Sequence, residues 1–170
     1  MKYLAVVAVV SLITGGCHTD PNDNVGPSPS EIQAAHAEVA DVVERFGRMW
    51  EDEDMRTFDQ IVAHDDDLVV IGTDAAERII GFEAYRESRR RQYESFENIE
   101  FDVLKRDIKL SHDGRAAWFA EEFNLFLLAQ GEPISLDGLR VTGGLEKRDS
   151  VWVIVQLHYS VPVAGQAAEY

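Results

Sequence analysis

Cysteine is almost absent: Cys17 is the only one in 170 residues, so a monomer has no internal disulfide and must hold its shape by packing. Positive charge is scarce too. Sixteen Lys and Arg stand against 31 Asp and Glu, a formal net charge of −15 that repels nucleic acid and anionic headgroups, so no nucleic-acid partner is expected. The five histidines lack zinc-ligand spacing, and the acidic run His64-Asp65-Asp66-Asp67 lacks the glycine-turned loop of a calcium site. There is no Gly-x-Ser-x-Gly, phosphate loop or dinucleotide fingerprint. Neither a metal nor a cofactor is therefore expected. Long apolar runs are missing as well, since the stretch from Tyr3 to Ile13 falls short of the roughly 20 residues a membrane-spanning helix needs.

The N-terminus does carry a pattern. Lys2, the apolar stretch and the small residues Thr14-Gly15-Gly16 form the three regions of a processing signal, which predicts a signal peptide over residues 1–16. Cys17 then becomes the first residue, in a setting that resembles a bacterial lipobox with Thr14 in place of the usual Leu. The resemblance implies a lipid on Cys17; the alternative is an ordinary secretory signal beside an accidental cysteine. With the lipid, the membrane is a partner through acyl chains and the protein sits in the bacterial cell envelope. His18 in place of Asp after the cysteine points, by resemblance to enteric lipoproteins, to the periplasmic face of the outer membrane. Residues 17–30, rich in Pro, Asn, Asp, Gly and Ser, read as lipidated Cys and flexible linker. Residues 31–163 then make one domain and 164–170 a short tail.

Periodicity gives the elements of that domain. Ser30 followed by Gln33 reads as a capping box, and Ile32, Ala35, Val39, Val42, Phe46 and Met49 recur at helical spacing to about Trp50. A short second helix carries Phe58, Ile61 and Val62. Leu68 to Ile71 is a short β-type run, and Ile79-Ile80-Gly81 leads into a third helix with Phe82, Tyr85, Arg89, Tyr93 and Phe96 along one side. The cluster Arg89-Arg90-Arg91, flanked by Glu83, Glu87 and Glu94, reads as a solvated face. Four long strands follow, with a β-bulge expected near residue 103 where alternation shifts from Ile99, Phe101 and Val103 to Leu104, Arg106 and Ile108. Helices first and an antiparallel meander after them make an α+β domain, a cone of helices on a curved sheet.

Several phrases then look familiar in order and spacing. Phe46-Gly47-Arg48-Met49-Trp50, Asp67 to Asp74, Gly81-Phe82-Glu83-Ala84, Ala117-Trp118, Leu139-Arg140-Val141-Thr142 and Trp152 to Pro162 together resemble the SnoaL-like branch of the nuclear transport factor two-like superfamily. The resemblance covers about residues 31–163. It implies a cone-shaped α+β domain, a pocket between sheet and helices, and a homodimer through the outer face of the sheet. Because the superfamily includes isomerases, dehydratases, cyclases and scaffolds, it implies little about chemistry.

Strand alternation groups Trp152, Ile154, Gln156, His158 and Ser160 on one face of the last strand, which the family pattern resembles as pocket-facing, and leaves Val153, Val155, Leu157 and Tyr159 for a partner sheet. The same logic turns Arg140 inward, with Glu122 as its carboxylate partner on the face of Trp118, Ala120 and Asn124. In one reading Arg140, His158, Glu122 and Gln156, with Trp118 and Tyr93, bind a small apolar or amphipathic ligand; in the other they are a satisfied structural network. His158, Glu122 and Arg140 are the catalytic candidates if the domain is an isomerase or lyase. A ketosteroid-isomerase-like scheme with Tyr85 and Tyr93 as donors and Asp74 or Glu122 as base is also open, and spacing selects none of them. The expectation leans to a non-catalytic binding protein, with a pure assembly module as a third reading. Trp50, Trp118 and the phenylalanines 46, 58, 82, 96, 101, 119, 123 and 126 are read as core.

Overall fold

A computed structural model describes residues 26–165 of the chain. The expected signal peptide, Cys17, His18, most of the linker and the last five residues of the tail lie outside the described residues.

The first helix, α1 (Pro29–Glu51), starts two residues earlier than the sequence suggests. Ser28, not Ser30, is the N-cap: its Oγ accepts from the Glu31 amide at 3.3 Å, and the Glu31 carboxylate accepts from the Ser28 amide at 2.7 Å. Pro29 sits just inside, where its missing N–H costs nothing and its fixed φ suits the helix. The apolar stripe Val39, Val43, Phe46, Met49 and Trp50 is buried. After a turn, Asp54 caps α2 (Met55–Ile61) by accepting from the amides of Arg56 and Thr57. The third helix, α3 (Phe82–Ser95), runs straight into a strand at Phe96.

The strands are β1 (Val69–Ile71), β2 (Arg78–Ile80), β3 (Phe96–Leu110), β4 (Ala116–Ala129), β5 (Glu132–Arg148) and β6 (Val151–Ser160). They form one sheet in the order β2-β1-β6-β5-β4-β3, antiparallel throughout except for the β1–β6 pair. The four long strands are those expected, and β1 with β2 adds a short arm at one edge. The helices lie against one face, as in the expected cone.

Bulges decide which residues face them. The predicted irregularity is present, with Leu104 slipped between Val103 and Lys105 in the ladder to β4. A second register shift lies between Glu97 and Glu100, and a third where Phe123 pairs Leu139 but Leu125 pairs Leu136. The fourth matters most. Gln156 pairs Gly144 while Ile154 pairs Leu145, so Val155 is an extra residue that resets the alternation of β6. Trp152, Ile154, Leu157 and Tyr159 therefore all turn inward, and Gln156 and His158 turn out. The grouping expected from unbroken alternation is corrected at this point.

The inner face is built from Ala117, Phe119, Phe123, Leu125 and Leu127 of β4, Leu139, Val141 and Leu145 of β5, and the inward residues of β6. Each such fully buried Phe or Leu stabilises the fold by about 1.5–3 kcal/mol. Gly143 belongs to this row because a Cβ there would overlap the Phe119 ring. Side-chain ties fix the helices: Arg86 grips Asp59 at 2.7 and 3.1 Å, and Arg148 grips Asp65 at 2.7 Å to both oxygens. Glu38 of α1 accepts from Lys147 at 2.6 Å and from Trp152 Nε1 at 2.9 Å.

Candidate functional site

The helices do not fill the cone. Between α3, the end of α1, the β1–β2 arm and the inner faces of β3 to β5 lies a cavity of about 210 Å³. Its walls are mostly apolar: Val70, Ile79, Phe101, Phe123, Leu125, Leu127, Ile134, Leu136 and Leu139. Phe101 and Phe123 stack at 4.0 Å between centroids and form one side. Ile134 and Leu136, more than a third exposed, are wall residues that solvent still reaches. At the β1–β2 turn the Glu77 side chain lies over Gly72, where any Cβ would collide with it, and its carboxylate accepts from the Asp74 amide at 3.0 Å.

The polar feature of the cavity is Arg89. It is 1% exposed, and its guanidinium lies over the Trp50 ring, Cζ 3.3 Å from the centroid. Nη2 donates to the Tyr85 hydroxyl at 2.8 Å, and that oxygen is 3.5 Å from the Tyr159 hydroxyl. Among the described residues Arg89 makes no ion pair, and its Nε and Nη1 have no hydrogen-bond partner. Trp50, also a wall residue, leaves Nε1 unpartnered. Burial pushes the Tyr159 hydroxyl well above its ordinary value and the Tyr93 hydroxyl up to about 12, so both keep their protons at neutral pH. Behind the wall that Trp50, Tyr85, Arg89 and Tyr159 give the cavity, donors are thus plentiful.

The sequence places Arg89 in a solvated cluster, and the structure corrects this. Arg90 does what was expected of the cluster, pairing with Glu87 and Glu94 on the exposed side of α3. Arg89 shares its side with Phe82, Tyr85 and Tyr93, at helical spacing of seven and four residues, and is carried inward with them. That spacing was the signal that could have found it.

The expected site residues fall elsewhere. Arg140, Glu122, Trp118 and His158 are exposed, and Gln156 is half-buried, all on the outer face of the sheet. Glu122 does oppose Arg140 across the ladder, as expected, but on that outer face. The reason is the apolar content of the alternate set: Phe119, Phe123, Leu139 and Val141 claim the inside, so their neighbours face out. Trp118, read as core, is 52% exposed, and Phe126 also lies on this face at 36%. Trp118 and Gln156 line a shallow outer groove with Asp107, Lys109 and Thr142. Tyr93 stays inside, donating to the Met49 carbonyl at 2.6 Å with its ring against the edge of Trp50, one layer behind the cavity wall. The buried carboxylate of the inner face is Glu121, not Glu122; it accepts from Arg106 at 2.5 Å, and burial raises its pKa against the pull of that partner.

Known structures share this architecture. A nuclear transport factor 2-like superfamily protein from Salmonella enterica superposes with a TM-score of 0.72 at 16% identity, covering 81% of this chain and 99% of that one. A protein from Novosphingobium aromaticivorans, provisionally named a scytalone dehydratase, gives 0.70 at 9% identity over 80% and 89%. An uncharacterised protein with a cystatin-like fold from Caulobacter vibrioides gives 0.64 at 9% over 77% and 92%. At these identities the likeness is one of fold. No curated protein matches the chain. The family model described as a SnoaL-like domain matches residues 39–164, which contain α3, the whole sheet and every wall of the cavity, and the chain belongs to that family.

Proposed function

We propose that this domain binds a small apolar or amphipathic organic molecule in its cone, without transforming it. The observation that carries the reading is the open cavity of about 210 Å³ lined by the buried side chains Phe101, Phe123, Leu125, Leu127 and Leu139. A dry apolar cavity of about 150 Å³ is already enough to hold a benzene-sized molecule. Binding is favoured over turnover by the chemistry of the walls. Glu77, the one carboxylate among the lining residues, is held at the turn by a backbone amide, while Glu122 and His158 lie across the sheet from the cavity. Isomerase or hydrolyase chemistry would have to run on Glu77 and the tyrosines, and Glu77→Gln would then abolish turnover of any substrate found.

The reading extends to the whole protein. The signal-like residues 1–16 and the small residues before Cys17 support a lipid anchor there and a place in the cell envelope, on the periplasmic face of the outer membrane. Trp118 in its shallow groove, among the mixed charges of Lys105, Asp107, Lys109, Glu122 and Arg140, supports a second copy of the chain against the outer face of the sheet.

A cavity-filling variant tests the binding reading. Ligand-observed NMR with small aromatic and branched aliphatic compounds should detect binding to the wild type, and Leu125→Phe, which adds volume to the wall, should weaken it. Equal signals from both proteins would place binding outside the cone.

A further inference from the structure

We infer that the ligand is an organic anion, a small carboxylate with an apolar body, whose carboxylate is held by Arg89 at the inner end of the cavity. The inference rests on the cavity being a binding site and adds the chemical class of what it binds. Arginine cannot shed its charge as a buried lysine can, because its guanidinium remains protonated at any pH a folded protein meets. A buried charge without a partner is strongly disfavoured, and structures pair or hydrogen-bond such groups. Among the described residues the guanidinium has one hydrogen bond, to Tyr85, plus stacking on Trp50, while Nε and Nη1 are unpartnered and closed off from solvent, so a carboxylate in the cavity engages them with a shift of the Arg89 side chain.

The groups around Arg89 match an anion, and the carboxylate of the lining, Glu77, is tied at the β1–β2 turn by the Asp74 amide. The neighbours are Trp50, whose Nε1 is also free, and the hydroxyls of Tyr85 and Tyr159. Tryptophan Nε1 only donates, and a hydroxyl can turn its proton toward an acceptor. Two carboxylate oxygens offer about four acceptor sites to this set, and a charge-assisted bond from guanidinium to carboxylate is among the stronger kinds. An amine or other cation would meet a like charge. The whole volume takes roughly eight heavy atoms, judged against the benzene-sized case, so the part walled by Phe101, Phe123, Leu125 and Leu127 takes a short hydrocarbon body that extends toward the open mouth. Aryl-alkanoic and branched-chain acids have this shape. The net charge of −15 repels anions from the surface at large, so a preference for an acid has to arise at a local site.

Matched acids and amides test the assignment on the full-length chain in lipid nanodiscs. Isothermal titration would compare 3-phenylpropanoate with 3-phenylpropanamide, and 4-methylpentanoate with its amide. The acid of each pair should bind at least tenfold more tightly. Arg89→Met, which keeps length and apolar contact, should remove that preference, leave the amide's affinity within about threefold and raise the midpoint of thermal unfolding, since an unpaired buried charge is gone. Arg89→Lys should keep a reduced preference for the acid. Equal affinity for acid and amide in the wild type would overturn the anion while leaving the cavity reading intact. No binding of any of the four would overturn both. A lower midpoint for Arg89→Met with an undiminished acid preference would make Arg89 a structural post for Trp50 and sink the assignment. If Arg89→Met does not fold, the wild-type comparison decides the matter alone.

Discussion

Tyr85 is the side chain on which Arg89 depends, since its hydroxyl takes the hydrogen bond the guanidinium makes among the described residues. Tyr85→Phe keeps the ring, which packs 5.0 Å from Phe58, and removes only the oxygen. Leaving one more donor of a buried group unsatisfied costs about 1–3 kcal/mol. The expected result is a lower urea midpoint at unchanged slope, and an unchanged midpoint would show that Arg89 finds a partner elsewhere. Gly143 makes a second prediction at this scale. Its missing side chain makes room for the Phe119 ring, and forcing an extra methyl into a packed core costs about 1–3 kcal/mol, so Gly143→Ala should destabilise by that order in the same measurement. Residue-level meaning was the part least legible in the sequence. The side of α3 that carries Phe82, Tyr85, Arg89 and Tyr93 could be read from spacing, but three consecutive arginines among glutamates look alike until a packing partner selects one. Trp50 is that partner, and it lies 39 residues away in sequence on another helix.

Elements were read more successfully than faces. The three helices, the four long strands and the bulge near residue 103 follow from periodicity, because a helix period and a strand period differ enough to survive local noise. The bulge at Val155 left no such mark. Its strand is apolar on both sides, so alternation carries no information about where one extra residue enters, and everything beyond it was assigned to the wrong face. That explains why Gln156 and His158 were expected in the cavity and lie outside it. It also yields a prediction. Because Ile154 and Gln156 already pair Leu145 and Gly144 in succession, deleting Val155 leaves both halves of the ladder in phase, and the variant should fold with the same circular dichroism at reduced stability. A chain that fails to fold would show that the added local twist is required. The ties between elements respond to acid. Hydrogen bonds from Arg148 hold the Asp65 carboxyl below its ordinary 3.8, and Lys147 and Trp152 do the same for Glu38. A depressed carboxylate binds fewer protons folded than unfolded, so its stabilisation is present above the ordinary carboxylate range and is lost as pH falls through the depressed values. Thermal midpoints should therefore drop below about pH 4, and the drop should be smaller in Arg148→Met, which has already lost one tie.

At the scale of the molecule, the domain places a donor-rich cavity on one side of a sheet and an exposed tryptophan among mixed charges on the other. If the outer face joins two copies, Trp118→Glu should convert a dimer to a monomer in sedimentation without changing ligand affinity, since Trp118 and the cavity lie on opposite faces. The SnoaL-like fold was legible because it depends on the order of elements, whereas the occupant of the cone depends on which atoms remain unpartnered inside it. The central claim is that something small and organic belongs in that space. Native mass spectrometry of the full-length chain as it is expressed, followed by denaturing extraction, tests this most directly. The account predicts a reproducible low-mass organic acid, recovered from the wild type and absent from Arg89→Met. A wild-type chain that flies without any adduct, and takes none up when offered small aryl and branched-chain acids, would contradict it.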